Sequence, residues 1–208
     1  MQVPPPFSNT PIQLWQQLPA MGLPVTPRRI EAKIALPPAD LQNAVPRWQE
    51  PLVIPIYCDP VDEQQTHPPD AFEKAVLAWQ NASNEAIFFK RLTQITKDGD
   101  GIFISWSDET NPERPYEVGR TTNQTHLNNE QPFIYRSEIV LQCHPRINQH
   151  LDVEAQKRQL YATFLHEIGH ALGLEHTQDP HSVMFHRSLQ NDQFTTEDLA
   201  QLHRLYGA

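Results

Sequence analysis

Cysteine is nearly absent from this 208-residue chain, which contains only Cys58 and Cys143. At most one disulfide bond can therefore form, and the fold cannot depend on a set of covalent cross-links. Nothing in the sequence places these two side chains near each other. We therefore expect two buried thiols and a hydrophobic core that is stable without disulfide bonds.

Long apolar runs and basic clusters are missing as well. No stretch approaches the roughly 20 apolar residues of a membrane-spanning helix, and the proline-rich start does not have the pattern of a secretory leader. As written, the sequence predicts a cytoplasmic protein; the alternative is a secreted protein whose leader has been removed. The formal net charge is −9, which argues against nucleic acids and anionic membranes as partners.

Proline, by contrast, is abundant, and many of the 20 prolines lie in residues 1–46. Proline restricts helix formation and removes a backbone donor, so this region predicts an extended arm that wraps the domain or serves as a pro-segment. Residues 47–208 are long enough to form one domain with its own core, since 38% of the chain is hydrophobic. We expect this domain to be a monomer.

The domain alternates between strand-like and helix-like patterns. These patterns predict strands at residues 52–58, 86–91, 102–106, 116–122 and 134–142, with a polar, asparagine-rich loop between the last two. They predict helices at 69–79, 153–172 and from Thr195 onward. Thr195 and Asp198 form a candidate capping pair for the last helix. The run Asp98-Gly99-Asp100-Gly101 predicts a turn, and calcium binding there is possible but not indicated.

The most informative segment runs from His166 to His176 and reads His-Glu-Ile-Gly-His-Ala-Leu-Gly-Leu-Glu-His. His166 and His170 are four residues apart, so on a helix they lie on one face and can bind one zinc ion. Glu167 projects about 100° further round the helix, where it can reach a metal-bound water as a general base. Gly173 can adopt the positive φ that lets the chain turn and bring in His176.

Three histidine ligands leave a fourth zinc position open, which is typical of a catalytic site. A His-Glu-x-x-His pentad alone also occurs by chance on ordinary helices. Neither packing nor solvation requires Gly173 and His176 at these offsets, so the longer pattern favours a metal site.

This pattern resembles the metzincin clan of zinc peptidases. Ser182-Val183-Met184 matches the methionine turn of that clan, and the run from His176 to Met184 and the ending Leu205-Tyr206-Gly207 are similar to the matrixin branch, which includes the matrix metalloproteinases. The resemblance covers about residues 47–208. The chain departs from the usual matrixin pattern at Thr177, where serine is common, and at His186, where proline is common.

The resemblance implies an α+β zincin fold. It has a twisted, mostly parallel five-stranded sheet with two helices in an upper subdomain, then the zinc helix, the methionine turn and a C-terminal helix in a small lower subdomain. It also implies that a substrate adds to the exposed edge of one strand, for which Val118–Thr122 is the candidate. Residues 100–135 contain no His-Gly-Asp-type segment, so we expect one zinc ion per chain.

Matrixins are often kept inactive by a pro-segment cysteine, but residues 1–57 contain none. A carboxylate could replace it, and the upstream acidic residues are Glu31, Asp40 and Glu50. Each of these fits a solvated surface charge better.

The predicted function is zinc-dependent hydrolysis of internal peptide bonds in protein or peptide substrates, with Glu167 as the general base. Two alternatives remain: a catalytically silent module that binds metal or peptide, and a zinc hydrolase acting on a small amide. His186 could assist the metal or the oxyanion, although an incidental surface histidine is the plainer interpretation.

Overall fold

A mixed sheet and three helices make up the part of the chain that the computed structural model describes, residues 45–60, 70–95, 98–109, 112–143, 151–187 and 190–207. The strands are β1 (Arg47–Trp48), β2 (Val53–Cys58), β3 (Phe88–Arg91), β4 (Gly101–Ser107), β5 (Gly119–Asn128) and β6 (Gln131–Gln142); the helices are α1 (Asp70–Ala82), α2 (Val153–Ala171) and α3 (Thr196–Tyr206). The predicted extension up to residue 44, including Glu31 and Asp40, lies outside the described residues.

The sheet has the order β1-β6-β4-β2-β3, and every neighbouring pair along this path is parallel. β5 joins the far side of β6 and is the antiparallel strand. The predicted mostly parallel α+β fold is therefore confirmed. The sheet has a sixth strand because the two-residue β1, which is too short to show a periodicity, pairs with Phe133 and Ile134.

The hydrophobic core lies between this sheet and helices α1 and α2. Phe72 on α1 packs against Phe164 on α2 with ring centroids 5.4 Å apart. Trp79, which is fully buried, donates its indole N–H to the Leu165 carbonyl over 3.0 Å. These contacts hold α2 against the rest of the core, as expected of a helix with one apolar face.

Two further contacts hold the C-terminal end of α2. Trp48 on β1 donates its indole N–H to the Ala171 carbonyl over 2.8 Å, and the Tyr206 hydroxyl on α3 donates to the Leu172 carbonyl over 2.6 Å. Both acceptors belong to the last turn of the helix, whose carbonyls have no partner within the helix. The end of α2 is thus satisfied by residues from both ends of the domain.

The helix boundaries agree closely with the sequence patterns. α2 begins after Asp152, whose carboxylate accepts from the Ala155 amide, and ends at Ala171 rather than Leu172. α3 begins after Thr195, and Thr195 and Asp198 form the predicted capping box.

The largest difference from the predicted elements concerns β5. The strand begins at Gly119 instead of residue 116 and continues to Asn128, through residues whose polarity predicted a loop. Pairing with β6 extends this strand, and a two-residue turn at Asn129 and Glu130, with φ values of 49° and 66°, reverses the chain. A strand at the sheet edge with a solvated face accepts polar side chains that a buried strand would exclude.

The two cysteines are not joined by a disulfide bond. Cys143 is buried, and burial raises the pKa of the half-buried Cys58 thiol to about 12. Among the described residues, no helix is both long enough and apolar enough to cross a membrane.

Candidate metal centre and active site

Three histidine side chains converge at the end of α2. The Nε2 atom of His170 lies 3.2 Å from that of His166 and 3.1 Å from that of His176, and the third side of the triangle measures 3.3 Å. Tetrahedral zinc with Zn–N bonds of about 2.0–2.1 Å separates its nitrogen ligands by about 3.3 Å. The three nitrogens therefore fit one zinc ion.

The opposite ring nitrogens of two of these histidines show why a cation between them would be favourable. His166 donates its Nδ1–H to the Val183 carbonyl over 2.7 Å, and His170 donates its Nδ1–H to the Leu174 carbonyl over 2.9 Å. In the neutral rings the lone pair is then on Nε2, so no hydrogen separates these two Nε2 atoms. A metal ion between them relieves the repulsion, and the carbonyl partners fix the ring orientations.

The electrostatic environment favours the neutral imidazoles that bind metals. Burial lowers the pKa of His170 to about 4, with a further contribution from the nearby His166, and burial also lowers the pKa values of His166 and His176. Neutral histidine is the ligand form, so these three side chains could hold a metal ion at neutral pH.

A glycine turn brings the third histidine to the other two. Gly173 has φ +90°, its amide bonds the His170 carbonyl over 2.9 Å, and the Leu174 amide bonds the Gly169 carbonyl over 3.0 Å. This pair of bonds is a Schellman motif, in which glycine accepts the left-handed conformation after the helix. The motif ends α2, presents the Leu174 carbonyl to His170 and redirects the chain toward His176.

A tight turn at residues 181–184 lies beneath the three histidines. Met184 is fully buried and packs so closely on Gly169 that an added Cβ there would overlap its sulfur. The buried Asp198 carboxylate accepts from the Ser182 hydroxyl and, over 3.2 Å, from the Val183 amide. The first turn of α3 therefore fixes the loop whose Val183 carbonyl orients His166.

Glu167 lies beside the histidines and is only 4% exposed. The Thr121 hydroxyl lies 2.6 Å from its Oε2 atom and 3.0 Å from its backbone carbonyl. Burial raises the pKa of Glu167 to about 7, the hydrogen bond from Thr121 opposes this rise, and the charge of Glu117 adds to it. A carboxyl with this pKa can both accept and return a proton near neutral pH.

These groups line an open cleft of about 560 Å³ beneath β5. Its walls include Val118–Thr121 on one side and the three histidines, Glu167 and His186 on the other. Within the described part of the chain, β5 pairs only with β6. No described strand pairs with its second edge, and an extended peptide can add to such an edge by backbone hydrogen bonding.

Comparison with known proteins agrees with this geometry, because the family model described as Matrixin matches residues 47–207. The chain belongs to the matrixin family. Matrix metalloproteinase-16 of rat and of human are each 40% identical to this matrixin over 52 residues. The match covers 23% of this chain and 9% of each relative, so the aligned part is a small fraction of those longer proteins.

The sequence-predicted site residues of this matrixin meet in one place. His166, His170 and His176 form a group able to hold a metal ion, and Glu167 adjoins it. His186 is exposed, with its ring centroid 6.1 Å from that of His176, so its hypothetical role stays a prediction.

Sequence reasoning missed Thr121 and Asn123, which bond Glu167 and the His170 carbonyl from β5. Residues two positions apart on a strand lie on the same face. This spacing was the sequence feature that could have identified the two residues.

Proposed function

We propose that the protein is a zinc-dependent endopeptidase that hydrolyses internal peptide bonds of proteins. His166, His170 and His176 are assigned as ligands of one zinc ion, and Glu167 as the general base. The observation that carries this assignment is the triangle of three Nε2 atoms, 3.1–3.3 Å apart, beside a buried carboxylate in an open cleft. Three protein ligands leave a coordination position for water or substrate.

The chemistry divides between the ion and the side chains. When bound, zinc supplies Lewis acidity, which polarises the scissile carbonyl and acidifies a water molecule. Glu167 accepts the proton of the attacking water and then donates it to the leaving amine nitrogen. Burial raises the pKa of Glu167 above that of an ordinary carboxyl, which makes it a better proton acceptor.

The strand edge indicates the class of substrate. β5 runs for ten residues, and its first residues line the cleft that holds Glu167 and the histidines. An extended polypeptide can pair with this edge through its backbone, and such pairing holds a peptide bond near the site regardless of most side chains. A small amide would have no use for this edge, so the geometry supports a peptidase.

The turn at Met184 supports the same assignment, because it occupies the position that the methionine turn has in the sequence pattern. Met184 is fully buried against the helix that carries His166 and His170. In this role the turn supports the ligands from below and contributes the Val183 carbonyl that orients His166.

Incubation of the zinc-loaded protein with an unfolded protein, followed by mass spectrometry of the products, tests the proposal. We expect internal cleavage that a chelator abolishes and added zinc restores. Peptide binding without cleavage would instead identify a silent binding module. Hydrolysis of small amides without cleavage of the protein would identify the other alternative.

A further inference from the structure

Two side chains on β5 connect the substrate edge to the metal-binding helix. Thr121 bonds Glu167, and Asn123, two residues along the same strand face, donates to the His170 carbonyl over 2.7 Å. Both acceptors belong to residues of the proposed site. The edge strand is therefore joined by side chains to the residues that would carry out the chemistry.

The contact of Thr121 differs from that of Asn123 because it reaches a functional group. Its hydroxyl lies 2.6 Å from Glu167 Oε2, whereas the backbone carbonyl of Glu167 lies at 3.0 Å. A hydroxyl has one proton to donate, and an ionised carboxylate is the stronger acceptor. The carboxylate bond is therefore the dominant contact whenever Glu167 is charged.

Steric contact limits the same carboxylate from a second side. A Cβ added at Gly119 would lie 2.9 Å from Glu167 Oε1 and 2.9 Å from its Cγ. Real Cβ contacts are rarely this close, so only glycine leaves room for the observed side-chain position. Gly119 and Thr121 thus define the place of the Glu167 side chain from one strand.

We propose that Thr121 is a positioning residue that holds the Glu167 carboxylate in its reactive orientation through its hydroxyl group. The bond engages Oε2 and leaves Oε1 to exchange the proton with water and the leaving amine. This inference rests on the proposed peptidase function. It goes beyond that function because it makes a residue of the substrate-binding strand responsible for the orientation of the base.

Variants at two threonines test the proposal in the zinc-loaded 208-residue chain. Thr121→Val keeps the size of the side chain and removes the hydroxyl, and Thr121→Ser keeps the hydroxyl. Thr93→Val is the matched control, since Thr93 is exposed after β3 and does not line the cleft.

We expect Thr121→Val to lower kcat on the order of ten-fold, the scale of losses measured for groups that orient a metal site, with KM and zinc content little changed. Thr121→Ser should recover most of the kcat, and Thr93→Val should match the wild-type protein. Equal kcat in the two valine variants would overturn the proposal, as would equal losses in Thr121→Val and Thr121→Ser.

Urea unfolding of the zinc-free protein supplies a measurement that does not depend on activity. Thr121→Val should lower the unfolding midpoint more in the wild-type background than in a Glu167→Ala background, where only the backbone contact remains. Equal shifts in both backgrounds would show that the hydroxyl does not act on the carboxylate. If the wild-type protein cleaves no peptide, the peptidase proposal fails, while this unfolding comparison still decides the Thr121–Glu167 contact.

Discussion

Two regions of the domain contribute to the same cleft and are built in different ways. In the motif segment, residues 166–184, buried or partly buried side chains bond to nearby backbone groups, as His170 does to the Leu174 carbonyl. In the edge hairpin, residues 119–142, β5 carries mostly polar, partly exposed side chains, and its place is set by backbone pairing with β6. The conformation of the motif segment depends on particular side chains. The conformation of the edge hairpin depends on the register of the pairing between β5 and β6.

Under the proposed function, the motif segment would carry out the chemistry and the edge hairpin would contact the substrate. A metal site needs specific ligand atoms within a few tenths of an ångström, so its residues cannot vary freely. A strand edge offers backbone N–H and C=O groups that nearly any sequence provides. The expected consequence is that substitutions in the motif segment have large effects and most substitutions in the edge hairpin have small ones.

The largest effect is expected at the proposed base. Glu167→Ala should lower turnover by about 10³-fold or more while zinc remains bound, because the carboxylate transfers protons and does not ligate the metal. Peptide cleavage rates and the zinc content of the purified protein check this. Glu154→Ala, which removes an exposed carboxylate from the same helix, should leave turnover unchanged. Retained turnover in Glu167→Ala would contradict the role assigned to it.

Substitution of one proposed zinc ligand should weaken metal binding. The wild-type protein should bind one zinc ion per chain, and His170→Ala should weaken zinc binding by more than about 100-fold, since even groups behind the ligands contribute about 10–100-fold. Titration with a competing chelator measures this. His181→Ala removes an exposed histidine and serves as the control. Two zinc equivalents in the wild-type protein would refute the single-site prediction.

The buried carboxylate that holds the loop beneath the histidines should contribute to the free energy of unfolding. Asp198 is fully buried and accepts bonds from Ser182, Val183 and Thr195. Asp198→Ala leaves these donors without their partner, and we expect the free energy of unfolding to fall by about 3 kcal/mol. Urea denaturation measures it.

The neighbouring Glu197→Ala is the control for this loss, since Glu197 is exposed in the same turn of α3. A similar change in both variants would show that the buried carboxylate does not support the loop.

The smallest expected effect is a gain in stability rather than a loss, and it concerns the turn of the edge hairpin. Glu130 has φ +66° in the two-residue turn, a conformation that glycine adopts without strain. Glu130→Gly should therefore raise the free energy of unfolding by about 0.5 kcal/mol, whereas Glu130→Ala keeps the strain and should bring no gain. Thermal unfolding of the two variants makes the comparison, and a less stable Glu130→Gly protein would contradict the proposed turn.

The sequence-based predictions were right where the interacting residues lie close together in the chain. The end of α2, the glycine turn and the capping box of α3 were predicted because their signals are separated by only a few residues. The three histidines were identified as one group for the same reason, since the last lies ten positions after the first.

The errors arose where a distant strand decides the conformation. Residues 123–128 are polar and predicted a loop, yet pairing with β6 makes them part of β5. Thr121 was not recognised as a site residue because it lies 46 positions from Glu167. No local pattern records such a contact, since it exists only once the hairpin and the helix are packed together.

The sequence by itself determined the donor set, because four-residue spacing on a helix and one glycine turn bring three imidazoles to one point. It also determined the helix ends, which depend on capping side chains within a few residues. Only the tertiary structure decided how far the edge strand β5 extends, which carbonyl orients His166 and which hydroxyl meets Glu167. These contacts join residues far apart in the chain, and their geometry depends on the packing of the sheet against α2.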